Sequence, residues 1–289
     1  TNRGWMPRVS GPPELSSLRR LLEPGGPVLD FHTHPLAEFG PQPVRDAAED
    51  AALLAAAARR AGVTRAVVMS LSAGCPQQPT IAQCQAANEY ALRLRDAAPD
   101  VLLPFCYVTP DFPEESAREV ERRVAGDRMP GVKLWVARKA SDPGLDPIIR
   151  QTVELGVPVL QHAWRKTIGQ LPGESLPDDV AALAARHPRA RIVVAHLNGI
   201  NARGVEALRP HPNVLVDTAG GDPEGGMVAL AVARLGPHRV VYGSDAPIRH
   251  QAVTLAKVLS AGLPPATVRD VLWNNAARLL PPWAGVLPA

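Results

Sequence analysis

Two histidines flank one threonine in Asp30-Phe-His-Thr-His34, at the end of a short apolar run beginning at Val28. The run is the size of a buried strand. Side chains alternate along a strand with period 2, so His32 and His34 are predicted to project to one side. Two imidazoles on one side, where a strand gives way to a loop, can both offer nitrogen to one metal ion. Such a pair is weak by itself and needs further ligands from elsewhere. The remaining apolar runs supply candidates at their ends: Lys133, His162, His196, Asp217 and Asp245. Four of the eight histidines hold such positions, whereas His187, His211, His238 and His250 fall in helix-end or loop contexts. Four histidines and an aspartate at strand ends point to a metal site.

Bringing these side chains together requires strands whose ends meet. Strands are predicted over 28–31, 65–70, 101–108, 131–136, 158–162, 191–196, 214–217 and 240–245. Helices are predicted between and after them, over 43–60, 80–97 with Thr80 as cap, 113–124, 146–155, 177–186, 202–208, 227–235, 251–259 and 266–280. This alternation implies right-handed βαβ units and a parallel sheet. Eight units in 289 residues predict an α/β fold, a (β/α)8 TIM barrel, with its chemistry at the C-terminal strand ends. Residues 27–289 are read as one domain behind a short N-terminal extension, 1–26, with a helix over 14–22. An open doubly wound sheet would place a glycine-rich phosphate turn after its first strand; here that place holds His-Thr-His-Pro.

Composition narrows the classes. The chain is 46% hydrophobic and 20% charged, an ordinary globular balance. No run approaches the roughly 18 apolar residues of a membrane span. A net charge of +3, scattered, with 4% aromatic residues, is no nucleic-acid signature. Cys75, Cys84 and Cys106 form no CxxC pair, so a reducing, cytoplasmic setting is expected. No signal-peptide pattern is read at the start of the chain.

The order His-x-His, Lys, His, His, Asp along the first, fourth, fifth, sixth and eighth strands resembles the amidohydrolase superfamily of metal-dependent barrel hydrolases. Asp30-Phe-His-Thr-His34, Gly131-Val-Lys-Leu134, Asn213-Val-Leu-Val-Asp-Thr218, Gly243-Ser-Asp-Ala-Pro247 and Asn275-Ala-Ala-Arg-Leu-Leu280 are similar to its amidohydrolase-related branch. That branch also contains aminocarboxymuconate-semialdehyde and resorcylate decarboxylases and pyrone dicarboxylate lactonases. The resemblance implies His32, His34 and His162 as nitrogen ligands, and Asp245 as carboxylate ligand or proton shuttle. His196 would bind a second metal or polarise the substrate. Three neutral imidazoles and a carboxylate suit a borderline cation such as Zn2+, with a position left for water. Lys133 is either a carbamate bridging two ions or an ammonium bonded to a carboxylate or substrate anion; one ion is favoured over two.

Loops set specificity. Arg138, Lys139, Arg165, Lys166, Arg203 and Arg249 are predicted near the barrel mouth, where they would suit an anionic substrate. Trp135 and Trp164 could wall the pocket, and Cys75 could line it without acting as nucleophile. The expected partner is a small molecule, with no nucleic acid or membrane, and a homo-oligomer is left open. The leading expectation is hydrolysis of an amide, lactone or ester by metal-activated water, Asp245 shuttling the proton. A nonoxidative decarboxylase of a carboxylated ring or enoate is the alternative, and a non-catalytic metal-binding protein the third.

Overall fold

Short runs rich in valine, leucine and isoleucine build the sheet. In this computed structural model, which describes residues 23–221 and 225–289, the strands follow in chain order: β1 (Leu29–Thr33), β2 (Arg65–Val68), a divided β3 (Leu102–Pro104 and Cys106–Tyr107), β4 (Val132–Leu134), β5 (Val159–His162), β6 (Ile192–Ala195), β7 (Val214–Asp217) and β8 (Val240–Val241). Each pairs in parallel with the next. Phe105 bridges the halves of β3: its amide donates to Val68 O (2.9 Å), and the Cys106 amide donates to Gly131 O (2.9 Å). The ring closes where Phe31 N donates to Tyr242 O (2.9 Å) and Asp245 N to His32 O (2.8 Å). The protein is therefore the eight-stranded parallel barrel that the alternation predicts.

Period-2 alternation divides the apolar residues into two layers. Leu29, Phe31, Val67, Met69, Leu103, Phe105, Leu160, Val193, Leu215 and Val241 form one buried cluster, joined by Ala276, Leu279 and Leu280 from the C-terminal helices. We read it as the barrel interior, floored by that segment. Their neighbours Val28, Ala66, Val68, Leu102, Val132, Val159, Ile192, Val194, Val214 and Val216 pack in the other cluster with helix residues. Each fully buried Val or Leu contributes about 1.5–3 kcal/mol, so the two layers fix every strand in register. Phe105 meets Phe31 edge-on, 5.3 Å between centroids, and a Cβ at Gly131 would stand 2.3 Å from its ring.

The helices are α1 (Ala47–Arg60), α2 (Ile81–Ala97), α3 (Pro113–Glu121), α4 (Asp146–Leu155), α5 (Pro177–Arg186), α6 (Leu197–Leu208), α7 (Met227–Leu235) and α8 (Gln251–Leu259), with further helical turns to Leu279. Thr80 and Gln83 cap α2 reciprocally, which holds a free helix start without tertiary help. Three features differ from the expectations. A four-residue helix, Leu36–Phe39, follows β1. The α6 segment begins at Leu197 and breaks at Asn201 (φ 56, ψ −174). The α3 segment runs on into a π-helical turn, Arg122–Gly126. The helix predicted over 14–22 lies outside the described residues. No helix among the described residues is long and apolar enough to cross a membrane.

Candidate metal centre

The inward rows of β4, β5 and β7 continue to Lys133, His162 and Asp217, each two residues beyond Gly131, Leu160 and Leu215 respectively, so alternation alone delivers these side chains. His32 arrives differently. Leu29 and Phe31 face the interior, and strict alternation would turn His32 away. The β1–β2 register breaks between Asp30 and Thr33, and such an irregularity re-aims the following side chain. Asp30 anchors the break, accepting from Ser244 N (2.8 Å), Ser244 Oγ (2.6 Å) and Gln251 Nε2 (3.0 Å). His196 (φ 75) and Asp245 (φ 65) adopt left-handed backbone, uncommon for residues with a Cβ and concentrated at functional sites. Gly220 makes room for the first: a Cβ there would stand 2.7 Å from His196 Cβ.

The side chains converge. His32 Nε2 lies 3.2 Å from His34 Nε2, and each is 3.5 Å from Asp245 Oδ1. His196 Nε2 is 3.8 Å from Asp245 Oδ2. Ligand atoms of His32, His196 and Asp245 all fall within 4.8 Å of one another. Two nitrogens at about 2.0–2.1 Å from a tetrahedral ion would be roughly 3.3 Å apart, which matches the His32–His34 separation. The donor set therefore fits a divalent cation.

Hydrogen bonds outside this cluster fix which nitrogen faces inward. His32 Nδ1 donates to Asp217 Oδ2 (2.8 Å) and His34 Nδ1 to Met69 O (2.9 Å), leaving both Nε2 lone pairs for an ion. Asp217 also accepts from His196 N (2.7 Å) and Ala219 N (2.9 Å), tying two of the histidines to one buried carboxylate. Burial, then neighbouring positive groups, pushes His32, His34 and His196 well below the usual imidazole value. They are neutral at pH 7, as ligands must be. Burial pushes Asp245 up to about 7, against the opposing pull of Lys133. Burial lowers Lys133 to about 8, with Asp245 and Asp217 resisting. Its Nζ is 3.4 Å from His32 Nε2.

These groups line a cavity of about 190 Å³, walled by Phe39, Leu71, Trp135, Trp164 and Ile248, with Lys166 and Arg249 at its rim. Arg249 has no carboxylate partner among the described residues; its guanidinium reaches only Ile248 O, at 3.4 Å. Other expected mouth residues point elsewhere. Arg165 pairs with Asp178 (2.8 Å), Arg138 with Asp111 (2.6 Å), and Arg203 is exposed. Cys75 is half-buried, and burial followed by Glu38 pushes its thiol up to about 12, far from a thiolate nucleophile.

His162 lines the cavity but, like His34, is absent from the group of His32, His196 and Asp245 whose donor atoms lie within 4.8 Å. Its Nε2 is bonded to Glu174 (2.8 Å), a residue the sequence reading does not single out. Burial would raise Glu174, but hydrogen bonds from His162 and Lys166 carry it down to about 2. Glu38 is the second such residue. Its carboxylate accepts from the Ser70 hydroxyl and from Leu71 N (2.8 Å), tying the Leu36–Phe39 turn to the loop after β2. Nothing in the spacing marks either glutamate, because Glu174 enters from a loop and Glu38 from a single short helical turn.

A parallel barrel with a histidine–carboxylate cluster at its strand ends defines a class of metal-site barrels. The chain belongs to the amidohydrolase family, whose family model matches residues 29–281. A comparison with curated proteins finds no match. Among solved structures, the chain is similar to a 5-carboxyvanillate decarboxylase from Sphingomonas paucimobilis, at 18% identity and a TM-score of 0.67, covering 87% of this chain and 98% of that one. It is also similar to a 2,6-dihydroxybenzoate decarboxylase from Rhizobium, at 16% identity and a TM-score of 0.66, covering 88% and 97%. A 5-carboxyvanillate decarboxylase from Novosphingobium aromaticivorans, complexed with manganese and 4-hydroxy-3-methoxy-5-nitrobenzoic acid, matches at 17% identity and a TM-score of 0.69, covering 89% and 96%. These neighbours correct the expectation of hydrolysis, since all three are decarboxylases. The error has a physical source: the strand-end residues encode a metal site, and one such site serves both reactions.

Proposed function

We propose that the protein is a divalent-metal-dependent, nonoxidative decarboxylase of a small carboxylated ring or enoate. The observation that carries this reading is the cavity. A histidine–aspartate cluster forms its floor, aromatic and aliphatic side chains its walls, and Arg249 stands at its rim without a carboxylate among the described residues. At about 190 Å³ it is smaller than the roughly 300–1,000 Å³ of drug-sized ligand pockets, which suits a one-ring acid. The likeness to decarboxylases of hydroxylated benzoates supports the same reading.

His32, His34, His162 and Asp245 would hold the ion, His162 through Nδ1, with His196 beside it. The similar structure with manganese and the zinc expected from the donor set are both compatible with imidazole and carboxylate ligands. When bound, the ion supplies positive charge that draws substrate oxygens to the cavity floor. Arg249 offers a planar guanidinium to the substrate carboxylate, while Phe39, Leu71, Trp135 and Trp164 flank the ring and exclude water. Asp245 carries the proton. It passes to the carbon bearing the carboxylate, the bond to that carboxylate breaks with its electron pair returning to the ring or enoate, and carbon dioxide leaves. His196, neutral and 3.8 Å from Asp245, would orient that carboxyl group, whose proton is replaced from solvent. Lys133, with its value at about 8, stays mostly an ammonium at neutral pH and balances the anionic charge gathered there.

The test is direct. Chelator-stripped protein reloaded with Mn2+ or Zn2+ is offered hydroxylated benzoates, 5-carboxyvanillate and non-aromatic enoates, and carbon dioxide release is followed. Metal-dependent release from at least one is expected; loaded protein that releases none from the panel overturns the proposal.

A further inference from the structure

The geometry points to Glu174 as the positioning residue that decides which nitrogen of His162 faces the metal centre. This rests on the metal reading above and adds a residue to it. His32 and His34 each have one ring nitrogen tied to an acceptor outside the cluster, Asp217 and Met69 O, which leaves the other free. Glu174 does the same for His162 in the opposite sense. It takes Nε2 at 2.8 Å, and Nδ1 makes no hydrogen bond among the described residues. The proton is thereby held on Nε2, and the Nδ1 lone pair is what remains for a cation. A carboxylate on the outer nitrogen also raises the basicity of the inner one.

The loop is built to deliver this carboxylate. Glu174 is 1% exposed, and burying a carboxylate is costly unless its lone pairs are satisfied. They are satisfied: besides His162, Oε1 accepts from Lys166 Nζ (2.9 Å), and Oε2 from Gln170 Nε2 (3.1 Å) and Leu171 N (3.2 Å). The chain leaves β5 and returns: Trp164 N donates to Ser175 O (2.9 Å) and Ala140 N to Ser175 Oγ (2.9 Å). Gly173 permits the return, since a Cβ there would stand 2.1 Å from Val136 O. A residue twelve positions after His162 is thus folded back onto the Nε2 edge of its ring.

Nitrogen-15 spectra of metal-free wild-type protein are expected to show His162 with its proton on Nε2. In Glu174→Gln, which keeps the side-chain shape, the tautomers should mix, and Mn2+ affinity measured by titration calorimetry should fall roughly 10–100-fold. A wild-type His162 protonated on Nδ1, or a folded variant with unchanged tautomer and an Mn2+ affinity within twofold of wild type, overturns the role of Glu174. The spectrum of the wild type decides the tautomer even if the variant fails to fold. A wild-type chain that binds neither Mn2+ nor Zn2+ overturns the metal reading itself, a separate failure.

Discussion

At the scale of single residues, the centre depends on carboxylates that serve different atoms. Asp217 holds the ring of His32 and the backbone of His196 at once. Asp217→Asn, which cannot accept both bonds as well, should weaken Mn2+ binding by roughly 10–100-fold, read by calorimetry on folded protein. Asp245→Asn should keep more of its metal than of its turnover, with carbon dioxide release falling about 10²–10⁴-fold. Full metal together with full rate in that variant would remove Asp245 from the proton path. Lys133→Met should leave one ion per chain by elemental analysis if the lysine serves as the proposed ammonium; a drop from two ions to one would instead reveal a bridging carbamate. The residues legible in the sequence are those that strands carry to the cavity, namely His32, His34, Lys133, His162, His196 and Asp245. Glu174 and Glu38 escaped because a loop and a single four-residue helical turn, unlike a strand, leave no period to read.

At the scale of elements, strand positions were legible wherever apolar runs ended in turn residues, and α4, α5, α7 and α8 fall on their predicted bounds. What periodicity could not convey was its own interruption: the register break in β1 and the left-handed residues after β6 and β8. The hydrolytic reading failed at this scale too, because the loops that select the reaction carry no fixed pattern. The π-helical turn after α3 places the buried guanidinium of Arg123 against Glu119 (2.6 Å), Glu89 (2.6 Å) and Asp127 (2.9 Å). Arg123→Ala would leave buried Glu119 without its closest cation. Glu119 would keep Arg122 at 3.0 Å, so the loss should fall below the roughly 3–5 kcal/mol of a buried pair broken outright; urea denaturation should register it, with little effect on Mn2+ affinity in the folded protein.

At the scale of the whole molecule, buried carboxyls link folding to pH. Burial raises Glu38 from its ordinary 4.5 to about 7, with hydrogen bonds from Ser70 and Leu71 opposing. Between those values the folded chain holds a proton that the unfolded chain has released, so this group's contribution to stability falls as pH rises. Glu38→Gln, which has no proton to lose, should therefore gain relative to wild type as pH climbs from 4.5 to about 7. Urea midpoints of chelated protein at pH 5 and pH 8 check the sign; a Gln variant that loses ground to wild type between the two would contradict it.

The seam of the ring carries a last consequence. His32 and Asp245, near opposite ends of the chain, are joined backbone to backbone by Asp245 N on His32 O, and His34 N donates to Ala246 O at 2.6 Å. Until residue 246 has left the ribosome, a nascent polypeptide has no complete nest in which to keep a cation. An ion at the proposed centre would thus be retained only once the ring has closed.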